Sequence, residues 1–332
     1  MENKLISAGI LGLGSYVPEK IVTNDHIAKM VDTSHDWIVS RTGIEERRVA
    51  SEDQSTSDIS AIAAKRALED ANLNPEDIDL IILATLTPDM LIPSTACLVQ
   101  SKIGAKNAAA FDLEAGCSGF VYGLTVARQF IATGMYKKVL VIGAEILSRM
   151  VDWEDRNTCI LFGDGAGAAV VGPVEDGKGI LSMTMGANGD GGKFLLIPAG
   201  GATQPASEQT IADRLHYIRM DGSEVFKFAV RTMGRASIEV IEKAGYKVED
   251  IDFLVPHQAN TRIINSAAKK LKLSDDKVYV NLNKYGNMSA ASVPVALDEA
   301  VKLGKIKKDD LVVLVGFGAG LTWGSCLIKW NK

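Results

Sequence analysis

Cys117, His257 and Asn287 have the residue types and settings that thioester chemistry needs. Cys117 follows Gly116 where an extended segment, AAAFDLEAG (108–116), gives way to a helical pattern, SGFVYGLTVARQF (118–130). A thiol at a helix N-terminus meets free backbone amides and the positive end of the helix dipole, which favour its thiolate and make it a nucleophile. On type alone, a cysteine among small residues is more often packing than catalysis. His257 closes an apolar run, FLVPHQAN (253–260), at what would be the carboxyl edge of a sheet, where α/β proteins place their ligands. The alternative for it is a hydrogen-bonded helix cap. Asn287 lies in KYGNMSA, just before another helical pattern, the place of an N-cap or turn residue. Brought together, the three suit acyl transfer. The cysteine exchanges acyl groups with a thioester, and two neutral hydrogen-bond donors stabilise an enolate oxygen as it forms, with no metal needed.

What brings them together is a duplication. ALEDANLNPEDIDLIILAT (67–85) and VIEKAGYKVEDIDFLVPH (240–257) share identities at a fixed offset of 173 residues, including Glu76-Asp77-Ile78-Asp79 with Glu249-Asp250-Ile251-Asp252. GCSGFVYGLTVARQFIATG (116–134) and GNMSAASVPVALDEAVKLG (286–304) are of equal length and begin and end on glycine. Both are followed by a lysine-containing connector and an apolar strand, KKVLVIG (137–143) and DLVVLVG (310–316). Cys117 and Asn287 are therefore equivalent positions, one residue after Gly116 and Gly286. If the halves pack about a pseudo-twofold axis, two helix N-termini converge and a strand end from the second half adds His257. Each half reads as helix, short acidic turn, buried strand, loop, helix and buried strand, an α/β layered architecture. The division is placed near Gly172-Pro173, giving halves at 1–172 and 173–332, with VEDGKG as the connector.

Composition narrows the alternatives. Hydrophobic residues at 47% with 23% charged are ordinary globular usage, which excludes disorder. A net charge of −5 excludes a chain-wide basic surface for nucleic acid, so an acidic partner needs a local basic patch. Four cysteines with no C-x-x-C pair imply free thiols in a reducing compartment, and Cys97, Cys159 and Cys326, inside apolar segments, read as core. Glycines break both the N-terminal apolar stretch and the uncharged run 311–328. These therefore read as a first strand and as strand, glycine loop, strand, and the expected location is the cytoplasm, with no membrane segment. Phosphate-loop and zinc motifs are absent, and Gly163–Gly167 and Gly316–Gly320 do not fit the dinucleotide pattern.

With these residues in hand, the chain resembles the β-ketoacyl-acyl-carrier-protein synthase III branch of the thiolase superfamily. TNDHIAKMVDTSHDWIVSRTGIEERR (23–48), FDLEAGCSGF (111–120), FGDGAGAAVV (162–171), VPHQANTRII (255–264), GNMSAASVPVALDEAV (286–301) and GFGAGLTWGS (316–325) carry the resemblance over nearly the whole length. It implies a thiolase-like fold of five αβαβα layers. It also implies that Cys117 is acylated by a primer acyl-CoA, and that His257 and Asn287 support decarboxylative condensation with malonyl-acyl-carrier protein. The amides of Cys117 and Ala319 would form an oxyanion hole. Trp37 and Arg41, with Arg156 opposite, would hold the adenine of coenzyme A, a substrate and not a cofactor. Thr33, Gly222 and Asn260 would line the adenine and pantetheine channel, and Phe317 would flank the site.

The same resemblance implies a homodimer and an acidic carrier docking on a basic patch, for which Lys227, Gln258, Arg262, Lys269 and Lys270 are the candidates, with Lys272 beside them. A solvated helix face is the alternative for these lysines. Three positions depart from the family pattern: Met288 replaces a threonine, Ala319 a glycine, and Ile92 the phenylalanine that a partner subunit supplies to the acyl pocket. The primer is therefore not inherited from the resemblance. An acyltransferase of secondary metabolism using the same three residues, and a non-catalytic partner subunit, are the competing readings; retention of all three residues argues against the second.

Overall fold

The apolar runs fold as strands of two sheets in a computed structural model that describes residues 5–332. Sheet A contains β1 (Ala8–Tyr16), β2 (Leu80–Ala84), β3 (Ala109–Leu113), β4 (Val139–Ile146) and β5 (Asp164–Pro173), in the order β1-β5-β4-β2-β3. Sheet B contains β6 (Gly179–Ala187), β7 (Phe253–Pro256), β8 (Leu311–Gly318) and β9 (Thr322–Lys329), in the order β7-β8-β9-β6. In sheet A, β2 runs parallel to β4, β4 antiparallel to β5, and β5 antiparallel to β1. Sheet B repeats that sequence of directions through β7, β8, β9 and β6. The duplication read from the chain thus reappears as one topology used twice, and β3 is the strand of sheet A without a counterpart in sheet B.

Every residue of β2, β4, β7 and β8 is buried, because helices cover both faces of both sheets. The helices that matter here are α1 (His35–Thr42), α2 (Thr56–Ala71), α3 (Thr95–Ile103), α4 (Gly119–Ala132), α5 (Gly222–Lys243), α6 (Thr261–Lys270) and α7 (Ser292–Lys302). α2 and α3 share a core with the outer face of sheet A, α5 and α6 with the outer face of sheet B, and α4 and α7 fill the space between the sheets. This is the five-layer αβαβα order. α2 begins at a capping box in which the Ser55 side chain accepts from the Asp58 amide and the Asp58 carboxylate accepts from the Ser55 amide. The acidic turns that follow α2 and α5 are the 3₁₀ turns Pro75–Asp77 and Val248–Asp250. Connections from the carboxyl ends of β4 and β7, and the turns that open α4 and α7, meet at the junction of the two sheets.

Cys159 and Cys326 are buried, but Cys97 is exposed. The helical period of α3 turns Ala96, Val99 and Ile103 inward and leaves Cys97 on the outer face, which a linear apolar run conceals. Among the described residues, no helix is long and apolar enough to cross a membrane, and no cluster of His, Cys, Asp and Glu is arranged to hold a metal ion.

Candidate active site

Cys117 occupies a single 3₁₀ turn, Gly116–Ser118, that runs into α4, and the equivalent turn Ser289–Ala291 runs into α7. Gly116 and Gly286 have φ of 53° and 66°, positive values that glycine adopts without strain. The two turns pack against each other, and the end of β8 closes against the first. Contact there is so close that a Cβ on Gly318 would overlap the amide nitrogen of Cys117. Gly318→Ala is therefore expected to shift the cysteine backbone, destabilising the fold by about 1–3 kcal/mol. It should slow thiol acylation by more than the stability loss explains, which parallel thermal melts and acylation rates would read.

His257 follows β7, and its backbone amide donates to the Val315 carbonyl at 2.8 Å. Its ring meets the Phe317 ring edge-on, centroids 5.3 Å apart at 75°. The ring is buried and, among the described residues, neither nitrogen has a hydrogen-bond partner, so the helix-cap reading fails. Burial lowers its pKa to about 3, leaving a neutral imidazole. Asn287 is pinned by its backbone, which donates to Leu161 at 2.8 Å and accepts from Gly163 at 3.0 Å, while its side-chain Oδ1 accepts from the Ser289 amide at 2.8 Å. Met288 is fully buried among Val17, Tyr285, Ala291 and Val295, so its thioether extends into the core and the Asn287 backbone stays fixed.

Cys117, His257, Asn287, Gly222, Asn260, Phe317 and Gly318 line one cavity of about 100 Å³. Cys117 also borders a second, about 740 Å³, with Thr85, Thr87, Leu147, Leu195, Ser289 and Ala319 on its walls. Cys117 therefore lines both chambers. A helix N-terminus favours a thiolate, and here the structure differs. Burial dominates and pushes the thiol up to about 12, with the Ser289 hydroxyl pulling it down and the Glu145 carboxylate pushing it further up. The resting pair is a neutral thiol and a neutral imidazole.

Two sections of the chain match family descriptions: residues 111–189 match "3-Oxoacyl-[acyl-carrier-protein (ACP)] synthase III", and residues 241–330 match its C-terminal part. The chain is similar to the β-ketoacyl-[acyl-carrier-protein] synthase III of Caldanaerobacter subterraneus subsp. tengcongensis, with 64% identity covering 98% of this chain and 99% of that protein. The chain belongs to the β-ketoacyl-[acyl-carrier-protein] synthase III family. Its fold is similar to the crystal structure of the Aquifex aeolicus synthase III, with a TM-score of 0.91 and 51% identity, covering 98% of this chain and 100% of that one. It is also similar to the priming β-ketosynthase of the R1128 polyketide pathway, with a TM-score of 0.92 and 35% identity, covering 100% of this chain and 98% of that one. Like other members of the synthase III family, it is an acyltransferase-type condensing enzyme with a thiolase fold.

The remaining residues expected from the synthase III resemblance fall into three groups. Trp37, Arg41 and Arg156 form one cluster, the two guanidiniums lying 5.6 and 5.0 Å from the Trp37 ring centroid. Asn260 ties this cluster to the cavity: it lines the wall, caps α6, and donates from Nδ2 to the Arg41 carbonyl at 2.9 Å. Thr33 carries a buried hydroxyl without a hydrogen-bond partner among the described residues. Lys227, Arg262, Lys269 and Lys270 are exposed on α5 and α6, with Lys227 paired to Glu224 at 2.7 Å and Arg262 over the ring of Phe226, a cavity-lining residue. Lys272 lies just beyond, paired to Glu249.

Gln258 corrects the sequence reading. It is fully buried, and Nε2 donates to the carbonyls of Pro256 and Tyr279, so it braces the His257 segment and presents nothing to a docking partner. Ile92 is 86% exposed and lines neither cavity of its own chain, although its neighbour Leu91 lines the larger one. Sequence reasoning missed Glu145 and Ser289, both buried beside Cys117. The signal for Glu145 was a lone acid in the apolar strand VLVIGAEI, a residue type that is almost never fully buried without a partner.

Proposed function

We propose that this chain initiates fatty acid synthesis by a two-step exchange at Cys117. The cysteine attacks the thioester of a primer acyl-CoA and releases coenzyme A. Malonyl-acyl-carrier protein then enters, and His257 and Asn287 hold its thioester carbonyl as carbon dioxide leaves and an enolate forms. The enolate attacks acyl-Cys117 and yields a β-ketoacyl-carrier product. The observation that carries this reading is that Cys117 from one half and His257 and Asn287 from the other line a single cavity in a chain of this family. A neutral imidazole suits the donor role, since it can donate to a developing oxyanion without bringing a buried positive charge. The amides of Cys117 and Ala319 serve the acyl carbonyl, and the 740 Å³ chamber receives the acyl chain.

Coenzyme A is read as lying with its adenine between Trp37 and Arg156, beside Arg41, and its pantetheine running past Thr33, Gly222 and Asn260 under Phe317. The acidic carrier docks on Lys227, Arg262, Lys269 and Lys270. Two copies of the chain are expected to pair, and the exposed run Met90, Leu91 and Ile92 is an apolar surface that such a pairing would cover. Arg262→Glu with Lys269→Glu is expected to raise KM for malonyl-carrier by about 10-fold at low salt, less at high salt, with self-acylation by acyl-CoA unchanged. Equal loss in both half-reactions would contradict the docking surface.

A second reading, favoured by similarity to a priming β-ketosynthase, gives the same chemistry to a secondary pathway. Incubation with acetyl-, isobutyryl- and longer acyl-CoA against malonyl-carrier and malonyl-CoA separates the two. Fatty acid initiation predicts a β-ketoacyl-carrier product from a short primer. A product formed only from another acceptor would favour the second reading.

A further inference from the structure

Glu145 is fully buried near the end of β4, and among the described residues no basic side chain is paired to it. Its carboxylate accepts from the Leu86 amide at 3.1 and 3.2 Å, from Thr87 Oγ1 at 2.8 Å and from Thr85 Oγ1 at 3.3 Å. Thr87 and Thr85 wall the larger cavity together with Cys117 and Ser289. The Ser289 hydroxyl is buried and has no hydrogen-bond partner among the described residues, yet it is close enough to favour the charged forms of both the Cys117 thiol and the Glu145 carboxyl. A buried hydroxyl without a partner, set between an acid and a thiol, is an open link in a chain of proton carriers.

We infer that Glu145, acting through Ser289, receives the Cys117 proton as the sulfur attacks the acyl thioester and returns it when the sulfur is released. This rests on the reading that Cys117 is the acylated residue. In acylation, a bond forms from Sγ to the acyl carbon, the bond from that carbon to the coenzyme A sulfur breaks, and the thiol proton passes through Ser289 to Glu145. The departing coenzyme A thiolate takes a proton from solvent. In condensation, the malonyl C–CO₂ bond breaks, its electrons form the new C–C bond, and the Cys117 thiolate leaves and recovers the proton held by Glu145. One solvent proton is consumed per turnover, and no oxidant or reductant enters.

His257 is poorly suited to this task because burial holds its ring neutral down to about pH 3, whereas burial raises Glu145 to about 7, where a carboxyl can both accept and return a proton. Other charged groups on the elements packed against β4 are engaged elsewhere. Asp164 accepts from Ser148 and the Ala50 amide, Arg128 donates to Ile180, Asp298 accepts from Ser15 and Lys302, and Glu299 accepts from Tyr279, Asn281 and Tyr285. On α2, Asp58 pairs with Lys102, while Lys65, Arg66, Glu69 and Asp70 are exposed. Glu145 does not touch the reacting sulfur, so it positions the proton and Ser289 carries it.

The test uses the full-length protein and the pH dependence of Cys117 modification, by iodoacetamide and by acetyl-CoA. In the unmodified chain both rates are expected to rise through about pH 7 and level off. Glu145→Gln is expected to lower them about 100-fold at pH 8 and erase the inflection, the scale of a lost proton acceptor. Ser289→Ala, which leaves the Glu145 contacts to residues 85–87 intact, should reproduce the direction, and Glu145→Asp should restore part of the rate and the inflection. If the carboxylate were only a neighbouring negative charge, its removal would make the thiol more reactive, and a faster Glu145→Gln protein would overturn the relay. So would loss by one factor at every pH with the inflection kept, or a Ser289→Ala protein identical to the parent. Iodoacetamide needs no acyl-CoA, so failure of the relay and failure of the acyl-enzyme reading give different results.

Discussion

Replacing Cys117 by alanine is expected to abolish the acyl-enzyme and lower condensation by at least ~10⁴-fold, with decarboxylation of malonyl-carrier continuing at a measurable rate. On the proposed mechanism the Cys117 sulfur carries the acyl chain, and Cys117 lines both cavities. The side chain is small and already neutral, so its truncation should cost the fold only about 1 kcal/mol, and the variant should melt close to the parent. Steady-state product formation and carbon dioxide release, followed on one preparation, would separate the two activities. Undiminished condensation in Cys117→Ala would remove the cysteine from the mechanism.

His257→Ala and Asn287→Ala are expected to reverse that pattern. Each should cut decarboxylation about 10²–10³-fold, the cost of losing one donor to a developing oxyanion, while acylation of Cys117 changes little. The double variant should fall only slightly below either single one, because the two groups serve one oxygen and act as a unit. The His257 ring makes no hydrogen bond to protein, and the Asn287 backbone is held to residues 161 and 163, so neither truncation removes a bond that holds the fold except the Oδ1 contact to Ser289. A drop in acylation equal to the drop in decarboxylation would show that the residues position the cysteine instead.

The layers and the duplication were legible in the sequence because both rest on patterns that short windows carry: continuous apolar runs for doubly covered strands, and the EDID segments at one offset. The cavity followed from the repeat, since equivalence of Gly116-Cys117 and Gly286-Asn287 predicts two converging helix entries before any contact is known. What the chain concealed depends on which way a side chain turns. Cys97 sits in an apolar run yet faces outward on α3, and Gln258 is polar yet lies beneath the surface bracing the segment of His257. The thiol's ionisation was misjudged for a related reason. A helix terminus is visible in sequence, whereas the burial that outweighs it is a property of the assembled layers. Glu145 and Ser289 are 144 residues apart in sequence and meet only when α7's entry turn packs beside the end of β4.

Mass spectrometry of the intact chain after incubation with short acyl-CoA, followed by peptide mapping and a chase with malonyl-carrier, tests the acyl-enzyme most directly. The expected result is a mass gain of one acyl group on the peptide containing Cys117, lost on the chase as β-ketoacyl-carrier appears. An acyl group mapped to another residue, or condensation proceeding while Cys117 stays unmodified, would contradict it.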